Sequence, residues 1–222
     1  MLLFGCNFNL YYLLLLGQGM AVIKSEELRV YLAIIAASVL VIALSIMGSV
    51  GGFWQGLRYS YFQVTTIIST TGFSTCDFDR WPELCRWILV LLMFVGGCAG
   101  STAGGVKVSR CVILFKGLKR ELRRILHTRE VRPLTLEGAR VDEATVASVS
   151  VFFFAYIAIL VVGAIIVTMD GVDLVTAISA SLTTISNVGP GFALIGPTCN
   201  FAFLSGLSKV VLTVTMLLGR LE

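Results

Sequence analysis

Thr66-Ile67-Ile68-Ser69-Thr70-Thr71-Gly72-Phe73 and Thr183-Thr184-Ile185-Ser186-Asn187-Val188-Gly189-Pro190 are the two stretches that decide how this chain of 222 residues is read. They lie 117 residues apart and align without a gap, with identities at Thr66/Thr183, Ile68/Ile185, Ser69/Ser186 and Gly72/Gly189. The same offset pairs Glu26 with Glu143, Val50 with Val167 and Leu57 with Leu174. Hydropathy repeats as well: a charge-free helix, a polar break, a small-residue segment ending in Gly, a loop, and another apolar helix. Self-similarity at a fixed period sets the architecture before any local signal does. A second alignment, at an offset of 123, pairs Met93 with Met216 and Gly96 with Gly219, and sets Gly97 opposite Arg220. The unit is therefore helix, re-entrant segment, helix, with a longer outer loop in the second copy.

Composition supplies the solvent. Hydrophobic residues make up 57% of the chain and charged ones 14%, against roughly 25% charged in soluble domains, so the bilayer is the expected surround. Charge-free runs cover residues 1–23, 30–50, 87–106 and 144–169, each long enough to cross about 30 Å of hydrocarbon; a fifth apolar run covers residues 210–219. The first of these lacks a basic leader region and is followed by Lys24, so it is expected to be the end of a spanning helix and not a signal peptide. The fold class predicted is an all-α membrane protein of tandem helix, pore-helix, helix units.

Nine of the seventeen basic residues fall in one segment: Lys107, Arg110, Lys116, Lys119, Arg120, Arg123, Arg124, Arg129 and Arg132. Basic clusters beside spans stay in the cytoplasm, which orients the chain. Spans on both sides argue against nucleic acid as the target. With Lys24 and Arg29 inside, residues 30–50 run outward and residues 87–106 return. Residues 59–79, too short and too polar to span, then enter and leave on the outer face, buried in protein. The same logic sends residues 144–169 outward and residues 174–186 into the membrane as a half-helix. The six cysteines show neither CxxC spacing nor metal-ligand spacing. Only Cys76, Cys85 and Cys199 would face outward.

Three features carry chemistry. First, each re-entrant helix ends in small and hydroxyl residues, Ser69-Thr70-Thr71-Gly72-Phe73 and Ser186-Asn187-Val188-Gly189-Pro190-Gly191. A helix entering from outside aims the negative end of its dipole at the membrane centre, which favours a cation. The backbone after it can offer carbonyl oxygens in place of a hydration shell. Taken singly, either stretch reads as a turn; their recurrence in a repeated unit favours the ion site. Second, residues 94–105, Phe-Val-Gly-Gly-Cys-Ala-Gly-Ser-Thr-Ala-Gly-Gly, hold five glycines midway along an expected span. Each costs up to about 1 kcal/mol in a helix, so a break is expected, with close helix packing as the alternative. A phosphate-cradling loop is excluded, since the Gly-Lys-Ser/Thr ending is absent. Third, Arg220 lies eleven residues past Lys209 on an apolar helix, about 16 Å deep. An intramembrane charge is a functional hypothesis by default, the alternative being that it marks the inner membrane edge.

Together these motifs, with Leu218-Gly219-Arg220-Leu221-Glu222, resemble the third and fourth repeats of the Trk/Ktr family of potassium uptake proteins. The resemblance covers nearly the whole chain. It implies four such units around one pore. Potassium, the transported ion, would be held by the backbone carbonyls of Thr70, Thr71, Gly72, Asn187, Val188 and Gly189, with Ser69, Phe73 and Pro190 completing the filter segments. Gly96, Gly97, Gly100, Ser101, Thr102, Gly104 and Gly105 would form an intramembrane gating loop, and Arg220 its barrier partner. The implied organisation is residues 1–23 as the end of a preceding helix and 24–127 as a pore unit with its gating loop at 96–105. Residues 128–143 would be a cytoplasmic linker, and 144–222 a second pore unit with its last helix incomplete. The chain is on this reading a fragment of a longer subunit. Implied partners are membrane lipid, a second copy of the full-length chain and a cytoplasmic nucleotide-binding regulatory subunit. No organic cofactor and no nucleic acid are expected. Ala103 and Ala193 depart from the family pattern, standing where Gly is frequent.

A secondary cation transporter with broken helices is the rival reading. There the repeats usually invert, whereas both re-entrant segments here enter from one side. An intramembrane enzyme has less support: no span carries a His–Glu or paired Asp, and the lone His127 lies in the basic segment.

Overall fold

The computed structural model describes residues 1–126 and 134–221. His127, Arg129 and Arg132 of the basic segment, part of the expected linker, and Glu222 of the closing motif lie outside the described residues.

Among the described residues, two helices are long and apolar enough to cross a bilayer: α3 (Glu26–Ile46) and α7 (Glu143–Thr168). At 1.5 Å per residue they run about 32 and 39 Å. Ser25 caps α3 by accepting the amide of Leu28, with Glu26 and Glu27 in the first turn where the helix dipole favours negative charge. α7 is apolar all round and leaves Val151, Phe154 and Ile165 exposed, as a helix facing lipid tails does.

Against each long helix lies a shorter one: α4 (Phe53–Ile68) packs along α3, and α8 (Leu174–Ile185) along α7. Both bury hydroxyl side chains, some of which donate to carbonyls of their own helix. Thr65 Oγ1 donates to Tyr61 O (2.7 Å), Ser69 Oγ to Thr65 O (2.6 Å) and Thr184 Oγ1 to Ala180 O (2.8 Å). On α4, however, the Gln63 amide and Thr66 Oγ1 are buried without a hydrogen-bond partner among the described residues. Each unit closes with another helix, α5 (Glu83–Val95) and α9 (Gly206–Arg220).

The two repeat offsets reappear in the helix ends. α4 stops at Ile68 and α8 at Ile185, 117 apart; α5 starts at Glu83 and α9 at Gly206, 123 apart.

Two expectations change and a third is met. The run over residues 1–23 is not one helix: a 3₁₀ turn at Leu2–Gly5 precedes α1 (Phe8–Leu15), Gly17 takes a positive φ, and α2 is Gly19–Lys24. The first re-entrant helix begins at Phe53, ahead of the expected start at residue 59. The break expected at the glycine-rich stretch within residues 87–106 is present. α5 ends at Val95, an irregular stretch follows, and the chain restarts as α6 (Val108–Leu126). The basic segment is thus helical over most of its length, with Arg110 stacked 4.1 Å from the ring of Phe152.

The starts of α3 and α7, α6 and a short hairpin gather at one end of the molecule. The hairpin pairs β1 (Thr135–Leu136) with β2 (Ala139–Arg140) through Glu137 and Gly138, both at positive φ as a tight two-residue turn requires. Lys116 pairs with Glu26 and donates to Thr135 O, while Arg120 grips Glu143 bidentately. At the other end, Asp170 accepts the amide of Ser205 and ties the end of α7 to the start of α9.

Candidate functional site

The segments that follow α4 and α8 share three backbone hydrogen bonds at the same register. Ser69 N donates to Thr65 O, Thr70 N to Ile67 O and Thr71 N to Thr66 O, at 3.2, 3.0 and 2.9 Å. The residues 117 further on repeat this: Ser186 N to Leu182 O, Asn187 N to Thr184 O and Val188 N to Thr183 O, at 3.0, 3.1 and 2.9 Å. Thr70 and Asn187 both take left-handed φ, 51° and 56°. Gly72 and Gly189 are both at positive φ, 78° and 112°. For a β-branched residue such as Thr70 that conformation is strained by about 1–2 kcal/mol, so the surroundings must hold it.

None of the hydrogen bonds among the described residues ends on the carbonyl of Thr70, Thr71, Gly72, Asn187, Val188 or Gly189. Pro190 is different, its carbonyl accepting from Thr183 Oγ1 (3.0 Å) while Gly189 N donates to that hydroxyl (2.9 Å). Ser69 is spent on α4 and on Thr71 Oγ1, and Phe73 is exposed. The two segments touch. A Cβ on Gly72 would lie 2.0 Å from Val188 O, closer than any real carbon approaches a carbonyl. Beside the second segment opens a cleft of about 500 Å³, lined by Thr183, Asn187, Gly189, Lys209 and Met216 among others.

The glycine-rich stretch forms a compact loop wedged against both segments. It closes on itself, with Val106 N donating to Phe94 O, Lys107 N to Val95 O and Val108 N to Gly97 O. Gly96, Gly100 and Gly105 take positive φ. Gly104 N donates to Thr70 Oγ1 (2.9 Å), which ties the loop to the first segment and holds the strained threonine. On its other side Gly104 abuts the second segment: a Cβ there would stand 2.3 Å from Ser186 O. Only a glycine allows that approach. From α9, Arg220 Nη1 donates to Thr102 O (2.8 Å), and Thr102 Oγ1 donates to Phe4 O (3.3 Å). Ser101 Oγ turns inward to Cys98 O. Gly96 and Gly97 are further close approaches, a Cβ on Gly96 falling 2.1 Å from Gly104 O and Gly97 packing on Ala103 and Gly5.

Arg220 therefore meets the loop that the repeat alignment set opposite it, since Gly97 is its counterpart. α9 continues helical through that register where α5 breaks. Asn187, the counterpart of Thr70, sends its Nδ2 to Met216 O on α9 (3.1 Å).

Several contributors escaped the sequence reading. Lys107, counted there among the cytoplasmic cations, is buried, and its ammonium donates to Ala103 O (2.7 Å) inside the loop. Glu27 is buried against the loop. Asp79 accepts from Ala193 N (3.2 Å) and pairs with Arg86, whose guanidinium lies over Phe192, joining the loop before α5 to the chain after the second segment. Sequence offered one clue to that contact in Ala193, which takes φ 56° where glycine would sit without strain. Ala103 needs no such backbone. At the start of α8 Asp173 caps the helix, accepting from Thr176 N and its hydroxyl, and the hydroxyl bond holds the carboxyl below its ordinary range. Among the described residues no cluster of His, Cys, Asp and Glu could hold a metal ion, and the cysteines are free.

Comparison with known proteins places the sequence and the fold in a family. Residues 7–222 match the TrkH family, described as a cation transport protein. The chain is 33% identical to the Trk system potassium uptake protein TrkH of Salmonella typhimurium across all of its own length and 46% of that protein. It is 40% identical to the TrkH of Halomonas elongata over 76% of the chain and 34% of the relative. The crystal structure of the potassium transporter TrkH from Vibrio parahaemolyticus superposes with a TM-score of 0.90 at 33% identity, covering 99% of this chain and 48% of that one. The chain thus spans about half the length of the curated relatives it matches, and it belongs to the TrkH family of cation transport proteins.

Proposed function

We propose that this chain supplies two of the filter strands, and the gate beneath them, of a potassium uptake pathway in the cell membrane. The observation that carries the reading is the duplicated backbone after α4 and α8. Two re-entrant helices deliver, at the same register, a left-handed residue, a positive-φ glycine and a row of carbonyls unused by other hydrogen bonds. A set left open at the negative ends of two helices suits a cation shedding its water.

Thr70, Thr71 and Gly72 with Asn187, Val188 and Gly189 present those oxygens. The loop at 96–105 is the barrier, held shut by Arg220 on Thr102 and by Thr70 on Gly104. Residues 24–127 and 144–222 are the two pore units, joined by a cytoplasmic linker at 128–143. The names of the relatives, all potassium uptake proteins of the Trk system, make potassium the cargo proposed here, and transport the role in place of catalysis. A second copy of the chain and a nucleotide-binding regulator on the basic face remain the partners proposed.

The test is rubidium uptake in a bacterium lacking its own potassium uptake, with the protein expressed from its full reading frame. Uptake should appear and should rise when residues 99–102 are deleted. No uptake from inserted protein would overturn the transport reading, and an unchanged rate on deletion would overturn the gate.

A further inference from the structure

The glycine-rich loop exists in only one copy of the repeat, so a residue that serves it should also be present in only one. Glu27 fits that test. Its counterpart 117 residues on is Ala144, although the neighbouring pair Glu26 and Glu143 is matched. Glu27 lies in the first turn of α3 and is buried, 6% exposed. Its Oε1 accepts the amide of Ala99 (2.6 Å), within the loop, and that of Ser109 (3.2 Å), in the first turn of α6.

A buried carboxylate is costly to desolvate and persists only where donors reward it. Here the reward is two amides, one of them at the positive end of a helix of 19 residues. The two amides belong to the loop and to the helix leaving it. One oxygen on α3 therefore fixes the loop's middle and its exit to a long helix that takes no other part in the barrier. Lys107 works in the complementary sense from within the loop, giving its ammonium to Ala103 O.

We infer that Glu27 is a positioning residue for the gate: its carboxylate latches the loop shut by holding the Ala99 and Ser109 amides together. The inference rests on the barrier reading of the loop proposed above, and its test separates the two. The readout is the rate at which a thiol reagent applied from the inner side modifies a cysteine introduced by Thr102→Cys, over a control lacking that substitution. Glu27→Ala should raise the rate by about tenfold or more, the scale of losing hydrogen bonds to a charged acceptor. Glu27→Gln keeps an uncharged acceptor and should fall between the two; if Glu27→Ala fails to insert, Glu27→Gln decides. In protein lacking residues 99–102, Glu27→Ala should leave rubidium flux where the deletion put it.

Rates within about twofold of the parent for both variants would overturn the latch, as would a further rise in flux in the deletion background. If Glu27→Ala speeds modification while the deletion leaves flux unchanged, the latch stands and the barrier reading falls. If the deletion raises flux and neither Glu27 variant alters modification, the barrier stands and the latch falls.

Discussion

Gly104 touches both proposed filter strands, through Thr70 on one side and Ser186 on the other. Gly104→Ala would place a methyl 2.3 Å from Ser186 O and 3.0 Å from its carbonyl carbon. The obstacle is backbone, so no side chain can rotate away, and the gap must open by roughly 0.7–1.1 Å to reach a tolerable contact. Overpacking of this kind costs typically about 1–3 kcal/mol. If the loop yields, that cost falls on the closed state and also stretches the Gly104–Thr70 bond. A bias of about 1–3 kcal/mol corresponds to a 5–150-fold change in the balance of two states. Rubidium uptake by the variant, normalised to inserted protein, should therefore rise at least severalfold with the preference for potassium over sodium intact. If the Ser186 strand yields instead, selectivity falls as well. Parental uptake, selectivity and thermal stability together would mean that the loop does not sit between the strands, and the barrier argument would fail.

Thr70→Val keeps the shape of the side chain but removes the acceptor of the Gly104 amide. Leaving that donor unpaired costs about 1–3 kcal/mol, so the loop should loosen and hydrogen exchange at Gly104 should accelerate; unchanged exchange would show that the bond does not hold the gate. Asp173 caps α8, and Asp173→Ala should cost about 1 kcal/mol, read as a lower melting temperature in detergent. Because its carboxyl titrates below the ordinary Asp range, its contribution is present above about pH 4 and is lost as pH falls through the lowered folded value. The melting difference between parent and variant should accordingly be present at pH 7 and shrink at pH 3, and an equal difference at both would contradict the capping role.

Much of the architecture was legible because the repeat offsets carry it. Sparse matches such as Ser69/Ser186 and Gly72/Gly189 located the ends of α4 and α8, and Gly96/Gly219 set the register of α5 and α9. Five glycines announced the break, as their helix cost requires. What stayed hidden depends on contacts between distant parts of the chain. Glu27 meets Ala99 across 72 residues and Thr70 meets Gly104 across 34, and no local pattern marks either pair. Lys107 was counted with the basic cluster because charge alone cannot tell a buried ammonium from a solvated one. The helical character of α6 was masked for the same reason: its cations read as an inner loop, although Val108, Ile113 and Gly117 form a buried stripe.

The central claim, that Gly72 and Gly189 are equivalent parts of one potassium filter, is tested most directly by the reversal potential under a potassium–sodium gradient for Gly72→Ser and Gly189→Ser, each at matched insertion. At Gly72 a side chain would press on Val188 O, 2.0 Å from its Cβ. Gly189 has open space but holds φ at 112°, which L-residues rarely adopt. The account predicts that both variants insert and that both shift the reversal potential toward sodium, Gly72→Ser by strand displacement and Gly189→Ser by backbone strain. Parental potassium selectivity in both variants would make these glycines ordinary turn residues and contradict the filter assignment.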